Sequence, residues 1–184
     1  MIHDPILIDR LSELPVEAFA GEVFRATPKS LDPLTYSTRA GRWSVDGGVA
    51  VLYTSLTREG ALAEIGFHWS RLTPLPTKPA MLHRLRLTTK STLRLVRAQF
   101  PMFGVDPARF GELNYARTQE IGEAVAFLGK DGLIVPSARW DCDNLMLFND
   151  NQAIESELEV VSSEEVDWLS WSRDHGILDL TGVL

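Results

Sequence analysis

The chain has 184 residues, 45% of them hydrophobic and 23% charged, a balance that suits one globular domain with its own core. Its formal net charge of -7 argues against a general nucleic-acid binder, and its single cysteine, Cys142, excludes a disulfide framework and a cysteine-based zinc site. Asp4, Asp9 and Arg10 break up the apolar residues at the start, and no later run approaches the roughly 18 apolar residues of a membrane span. The expectation is a cytoplasmic protein with no membrane association.

An amphipathic segment over residues 8–18 comes first, then a strand over 22–27 and a polar loop through Pro28, Pro33 and Gly41. After Gly47-Gly48, the run VAVLYTS reads as a strand with Val49, Val51 and Tyr53 on one face and Ala50 and Leu52 on the other. A helix follows, capped by Ser55 or Thr57, with Glu59 in its first turn. Leu62, Ile65 and Trp69 form its apolar stripe, while Glu64 lies off that stripe in line with Gly60 and His68. Pro74, Pro76 and Pro79 end the helical region; strands are expected over 81–87 and 92–96. Residues 107–129 read as a helix with Thr118, Ile121, Val125 and Leu128 on one face, closed by Gly129 and Gly132. GLIVPSA, DNLMLF and residues 154–160 read as three further strands, and the tail from Trp168 has no clear pattern. The predicted class is a single α+β domain, spanning 1–184, of short mixed or antiparallel strands with a few helices.

Acids and bases are segregated. Residues 141–184 hold eleven acids and one base, Arg173, whereas the acid-free stretch between Glu64 and Asp106 holds Arg71, Lys78, Arg84, Arg86, Lys90, Arg94 and Arg97. Such a stretch serves either as a solvated face or as an attractor for an anionic ligand.

Several common chemistries lack their parts. There is no G-x-G-x-x-G or P-loop motif, His3, His68, His83 and His175 have no ligand spacing, and Ser137 has no nucleophile elbow. No metal site is expected. What remains is the run GRWSVDGGVAVLYTSLTREGALAE, which puts Arg42, Tyr53 and Glu64 eleven residues apart on a loop, a strand and a helix. An arginine between Gly41 and Trp43 offers a planar fork for a phosphate, a tyrosine stacks and donates, and a carboxylate steadies positive charge or orients a ribose hydroxyl. Singly, each fits an ordinary surface or core role; their joint pattern points to a site.

At these residues the sequence resembles the RES domain family. FRAT resembles the family's first arginine strand, GRW its second arginine, LYTS its tyrosine and ALAE its glutamate. RTQEIG resembles its glutamine-bearing helix, DGLIVPSA its serine strand and DNLMLF its closing strand, so the ordered likeness runs over about 22–148 and leaves 149–184 as an acidic strand and tail. Two positions depart from the family's pattern: Ser44 stands where asparagine often follows GRW, and Ala26 where some members carry an aromatic residue.

The resemblance implies a fold similar to ADP-ribosyltransferases and a toxin that degrades NAD by cleaving its nicotinamide-ribose bond, with water or inorganic phosphate as acceptor. It implies catalytic roles for Arg25, Arg42, Tyr53 and Glu64, and substrate contacts from Ser137, Gln119 and Asn144. NAD is then a substrate and no resident cofactor is expected. The implied partner is a cognate Xre-like antitoxin in a hetero-oligomer, with nucleic acid reached only through that antitoxin. Transfer of ADP-ribose to a protein and a non-catalytic NAD- or partner-binding module are the alternatives.

Overall fold

Local chemistry sets the helix starts in the computed structural model, which describes residues 3–178. Asp4 accepts the Ile6 N–H at 3.0 Å and opens α1 (Pro5–Ser12). Thr57, rather than Ser55, caps α2 (Arg58–Trp69) by accepting the Gly60 N–H at 3.0 Å. Ser55 instead ends β2 (Val51–Ser55).

Six strands build one sheet: β1 (Val16–Pro28), β2, β3 (Ala80–Arg94), β4 (Gly132–Pro136), β5 (Asp143–Phe148) and β6 (Leu158–Val166), in the order β1-β2-β5-β4-β3-β6. Because β1 also pairs with β3, the first five close on themselves and β6 adds to β3 from outside. Among the described residues only β3 and β4 run parallel. Together with α3 (Ala116–Phe127) and α4 (Trp168–Asp174), this is the mixed α+β arrangement expected.

Alternation along the strands feeds two cores. Leu7 and Leu11 of α1, Ile121 and Val125 of α3, and Phe100 and Phe103 of a 3-10 turn at Arg97–Phe103 pack with Val51, Leu133 and Met146. Leu52, Leu145, Leu147, Val23 and Leu85 make a second core. The faces expected of β2 are observed, since Val49 and Tyr53 pack with Val51 on the first core while Leu52 joins the second. On α2, Leu62 meets Leu82, and Ile65 and Trp69 meet Ala80 and Trp168. Each such burial contributes about 1.5–3 kcal/mol. The opposite side of α2 is left to carry Glu64.

Several boundaries differ from expectation. The segment 8–18 divides between α1 and β1, which starts six residues before the expected strand at 22. The strands expected at 81–87 and 92–96 are one continuous strand, because the buried Asp131 accepts the Lys90 and Ser91 N–H groups and the Thr92 hydroxyl where the sequence turns polar. The helix expected over 107–129 forms only at Ala116–Phe127. Strand β6 starts at Leu158, not 154; Ile154 is 100% exposed, and Leu158 and Val160 lie opposite Leu87 and Leu85. The tail that lacked a pattern opens with α4, capped by Asp167, and its residues 179–184 lie outside the described residues.

The charge segregation resolves into pairs across strands and loops. Arg86 pairs with Glu159 and Glu22, Lys90 with Glu155, Arg58 with Glu164, Lys29 with Glu165, and Arg94 with Glu17 and Asp143. Most of these groups face solvent, so each pair contributes about 0–1 kcal/mol and the basic strand is largely neutralised. Among the described residues no helix is long and apolar enough to cross a membrane.

Candidate active site

Glu64 lines a cavity of about 340 Å³ together with Arg25 of β1, Arg42 of the preceding loop, Tyr53 of β2 and Asn144 of β5. Its position follows from the helix period: with Leu62 and Ile65 turned inward, Glu64 faces the space between α2 and the strand ends. One carboxylate oxygen is held firmly. Glu64 Oε1 accepts from Ser137 Oγ and from Asn144 Nδ2, both at 2.9 Å. No hydrogen bond reaches Oε2 among the described residues.

Ser137 is completely buried behind Glu64. Its hydroxyl gives its single proton to the carboxylate and accepts the Arg139 N–H at 3.0 Å and the Trp140 N–H at 3.3 Å. One donation and two acceptances exhaust a hydroxyl. Ser137, expected as a substrate contact, does not line the cavity; its hydroxyl holds Glu64. Asn144 reaches the same oxygen, and its own Oδ1 is buried with no partner among the described residues.

The two arginines are held differently. Arg42 donates to the carbonyls of Phe110 at 2.6 Å and Glu112 at 3.4 Å, and its guanidinium stacks on the Phe110 and Tyr115 rings with centroids 4.7 and 4.4 Å away. Burial lowers its pKa, with Tyr115 and Glu64 opposing that shift and Arg139 adding to it. Arg25 donates to the Thr35 carbonyl at 3.0 Å, while its buried Nη1 has no partner among the described residues. Burial pushes its pKa down to about 10, partly countered by Asp32, so it stays charged at neutral pH. The cavity thus has two oriented cations and one fixed anion, an arrangement suited to a ligand with phosphate at one end and developing positive charge at the other.

The GRW loop owes its shape to close packing. A Cβ on Gly41 would overlap the Tyr53 hydroxyl, and one on Gly122 of α3 would overlap the Trp43 carbonyl oxygen. Gln119, expected to touch substrate, does not line the cavity; its amide donates to the Gly41 carbonyl at 2.9 Å and the Ser44 carbonyl at 3.2 Å, tying α3 to the loop. Glu123 accepts the Val45 and Val49 N–H groups and holds the next turn.

Ser44, a departure from the family's pattern, is buried with its hydroxyl 3.0 Å from Tyr53 Oη. Burial raises the Tyr53 pKa despite that bond, so the phenol keeps its proton as a donor. The second departure, Ala26, is a wall of the cavity.

Arg39, His68 and Tyr115 also line the cavity and were not picked out as site residues from sequence. For His68 a signal existed, because it falls four residues after Glu64 on the same helical line. Tyr115 had none, since its partner Arg42 is 73 residues away in the chain.

No curated protein matches the chain in sequence. In shape it is similar to a chain in the crystal structure of the M.tuberculosis MbcT-MbcA toxin-antitoxin complex, with a TM-score of 0.76 over 92% of this chain and 97% of that one, at 16% identity. That likeness establishes a shared fold. The model of the RES domain matches residues 22–169, most of the 184, and the chain therefore belongs to the RES domain family.

Proposed function

We propose that this chain is the toxin of a toxin-antitoxin pair and acts by cleaving NAD at the nicotinamide-ribose bond. The observation that carries the reading is the single carboxylate of Glu64, fixed by Ser137 and Asn144 in a cavity that also holds Arg25 and Arg42. Family membership and the fold shared with a toxin-antitoxin structure support the biological role. Its partner is a cognate antitoxin of the Xre-like kind, and the two form a hetero-oligomer in the cytoplasm.

Nicotinamide in NAD is a cationic leaving group, so departure needs little acid catalysis. The C1′–N bond breaks with its electron pair going to the nicotinamide nitrogen, and the sugar left behind is oxocarbenium-like. Glu64 steadies that charge as the carboxylates of glycosidases do. Arg25 and Arg42 hold the pyrophosphate, and Tyr53 donates a hydrogen bond at the nicotinamide-ribose end. Water as acceptor yields ADP-ribose and a proton; inorganic phosphate yields the phosphorylated sugar.

The test is nicotinamide release from NAD by purified protein, with and without phosphate, and mass analysis of the sugar product. Glu64→Gln keeps an oxygen for Ser137 and Asn144 but loses the charge, and it lowers release by roughly 100-fold or more. A folded wild-type protein that is inert in both buffers refutes NAD cleavage. Binding of NAD without release, by calorimetry, selects a binding module instead.

A further inference from the structure

We propose that His68 takes the proton from the water that attacks the ribose, a role that rests on the NAD-cleaving reading above. His68 lines the same cavity as Glu64 and stands one helical turn further along α2. Residues four apart on a helix share a face, with Cβ atoms about 5–6 Å apart. A water between the two side chains therefore has the carboxylate on one side and an imidazole on the other.

The remaining histidines are occupied elsewhere. His83 bridges the Thr27 and Ser163 hydroxyls at 3.0 and 2.7 Å, His175 bonds the Trp171 carbonyl at 2.8 Å and stacks on the Trp171 ring, and His3 packs at a tilt against Phe127. His68 differs. Among the described residues no hydrogen bond engages either ring nitrogen, and the ring meets only the edge of Phe67 at 5.5 Å. Its side chain is exposed, so a captured proton can pass to solvent.

Charges around the ring keep it available as an acceptor. Loss of hydration at the cavity wall is the largest influence on the ring and lowers its pKa below the ordinary histidine value, although one edge reaches solvent; Glu64 on its own helix opposes that shift, and Arg139, Arg42 and Arg71 add to it. At neutral pH the imidazole is uncharged and can accept.

A second base is needed because Glu64 already has a task. Ser137 and Asn144 fix its Oε1 in the cavity, where it faces the developing cation, so a separate group is called for to take the proton of water. In the step proposed, the C1′–N bond breaks with its pair going to nicotinamide and a water oxygen pair forms the C1′–O bond. The proton leaving that water goes to a ring nitrogen of His68. Release of ADP-ribose then returns the proton to solvent, which balances the reaction.

Steady-state nicotinamide release in phosphate-free buffers between about pH 4.5 and 8.5 tests this in wild type and His68→Gln. The expected variant loses roughly 100- to 10,000-fold in kcat with KM changed by only a few fold. Wild-type kcat falls about tenfold per pH unit below a midpoint under about 6.5, and the variant lacks that limb. Should the variant fold poorly, NMR titration of the wild-type imidazole decides: its resonance titrates below the ordinary value and moves when ADP-ribose is added. A variant within about threefold of wild-type kcat, an unchanged acid limb, or a resonance indifferent to ADP-ribose overturns the role of His68. Release that requires phosphate overturns it too, while leaving NAD cleavage standing. A wild-type protein that releases no nicotinamide in any buffer brings down the NAD reading and this role together.

Discussion

Replacing Ser137 by alanine removes a hydroxyl that serves three groups at once. Its hydrogen bond to Glu64 at 2.9 Å is of the kind made to a charged acceptor, which contributes about 1.5–3 kcal/mol. The same oxygen accepts the Arg139 and Trp140 N–H groups, and leaving these two donors without it adds to the loss. Part of the cost is recovered, because Asn144 continues to hold Oε1 and solvent reaches the half-exposed Trp140. The expected net destabilisation is about 2–4 kcal/mol, which for a chain of this length lowers Tm by roughly 5–15 °C. Urea unfolding of Ser137→Ala, Asn144→Ala and the double variant measures it, and the two single losses do not add, since both act on one carboxylate oxygen. Nicotinamide release slows in Ser137→Ala through kcat, and the intact wild-type protein carries no covalent sugar adduct under turnover. A loss below about 0.5 kcal/mol with strictly additive single variants would falsify the shared clamp on Glu64.

Gly122→Ala places a methyl group against the Trp43 carbonyl oxygen, which backbone must move to accommodate; it destabilises by about 1–3 kcal/mol and displaces Arg42, so Tm and nicotinamide release fall together. If Tm is unchanged, the close approach of α3 to the GRW loop is wrong. His83 is 5% exposed, and burial, aided by Arg25 and opposed by Asp32, lowers its pKa. Below about 6.5 the unfolded chain therefore takes up a proton that the folded chain resists. The stability tied to His83 is complete above that pH and is lost as pH falls towards the folded value. Urea midpoints between about pH 5 and 7.5 fall less steeply in His83→Gln than in wild type, and equal slopes contradict the assignment.

The chain's local patterns were sufficient for α2 and the strands around it. The Thr57 cap, the Leu62–Ile65–Trp69 stripe and the displaced Glu64 all follow from a 3.6-residue period, and β2 alternates as a two-residue period requires. GLIVPSA and DNLMLF were legible for the same reason. The ordered resemblance from Arg25 to Asn144 named seven residues; the fold brings Arg25, Arg42, Tyr53, Glu64 and Asn144 to one cavity, while Ser137 lies behind Glu64 and Gln119 holds the GRW loop.

Tertiary contacts decided the rest. Residues 107–115 have the composition of a helix start, yet the carbonyls of Phe110, Gly111 and Glu112 accept from Arg42 and Arg139 instead of supporting a helix. The polar run in the middle of β3 continues as strand because Asp131, some forty residues later, satisfies its N–H groups. The basic side chains of β3 meet acids of β1, β5, β6 and the flank of β6, brought opposite by sheet register. Sequence by itself determined which side chains carry charge and which face of each element they occupy, because those depend on neighbours one turn or two residues away. Only the tertiary fold decided that Ser137 and Asn144 converge on Glu64 and that Gln119 is spent on the GRW loop, because each pairing joins residues more than seventy positions apart that meet only through strand register and packing.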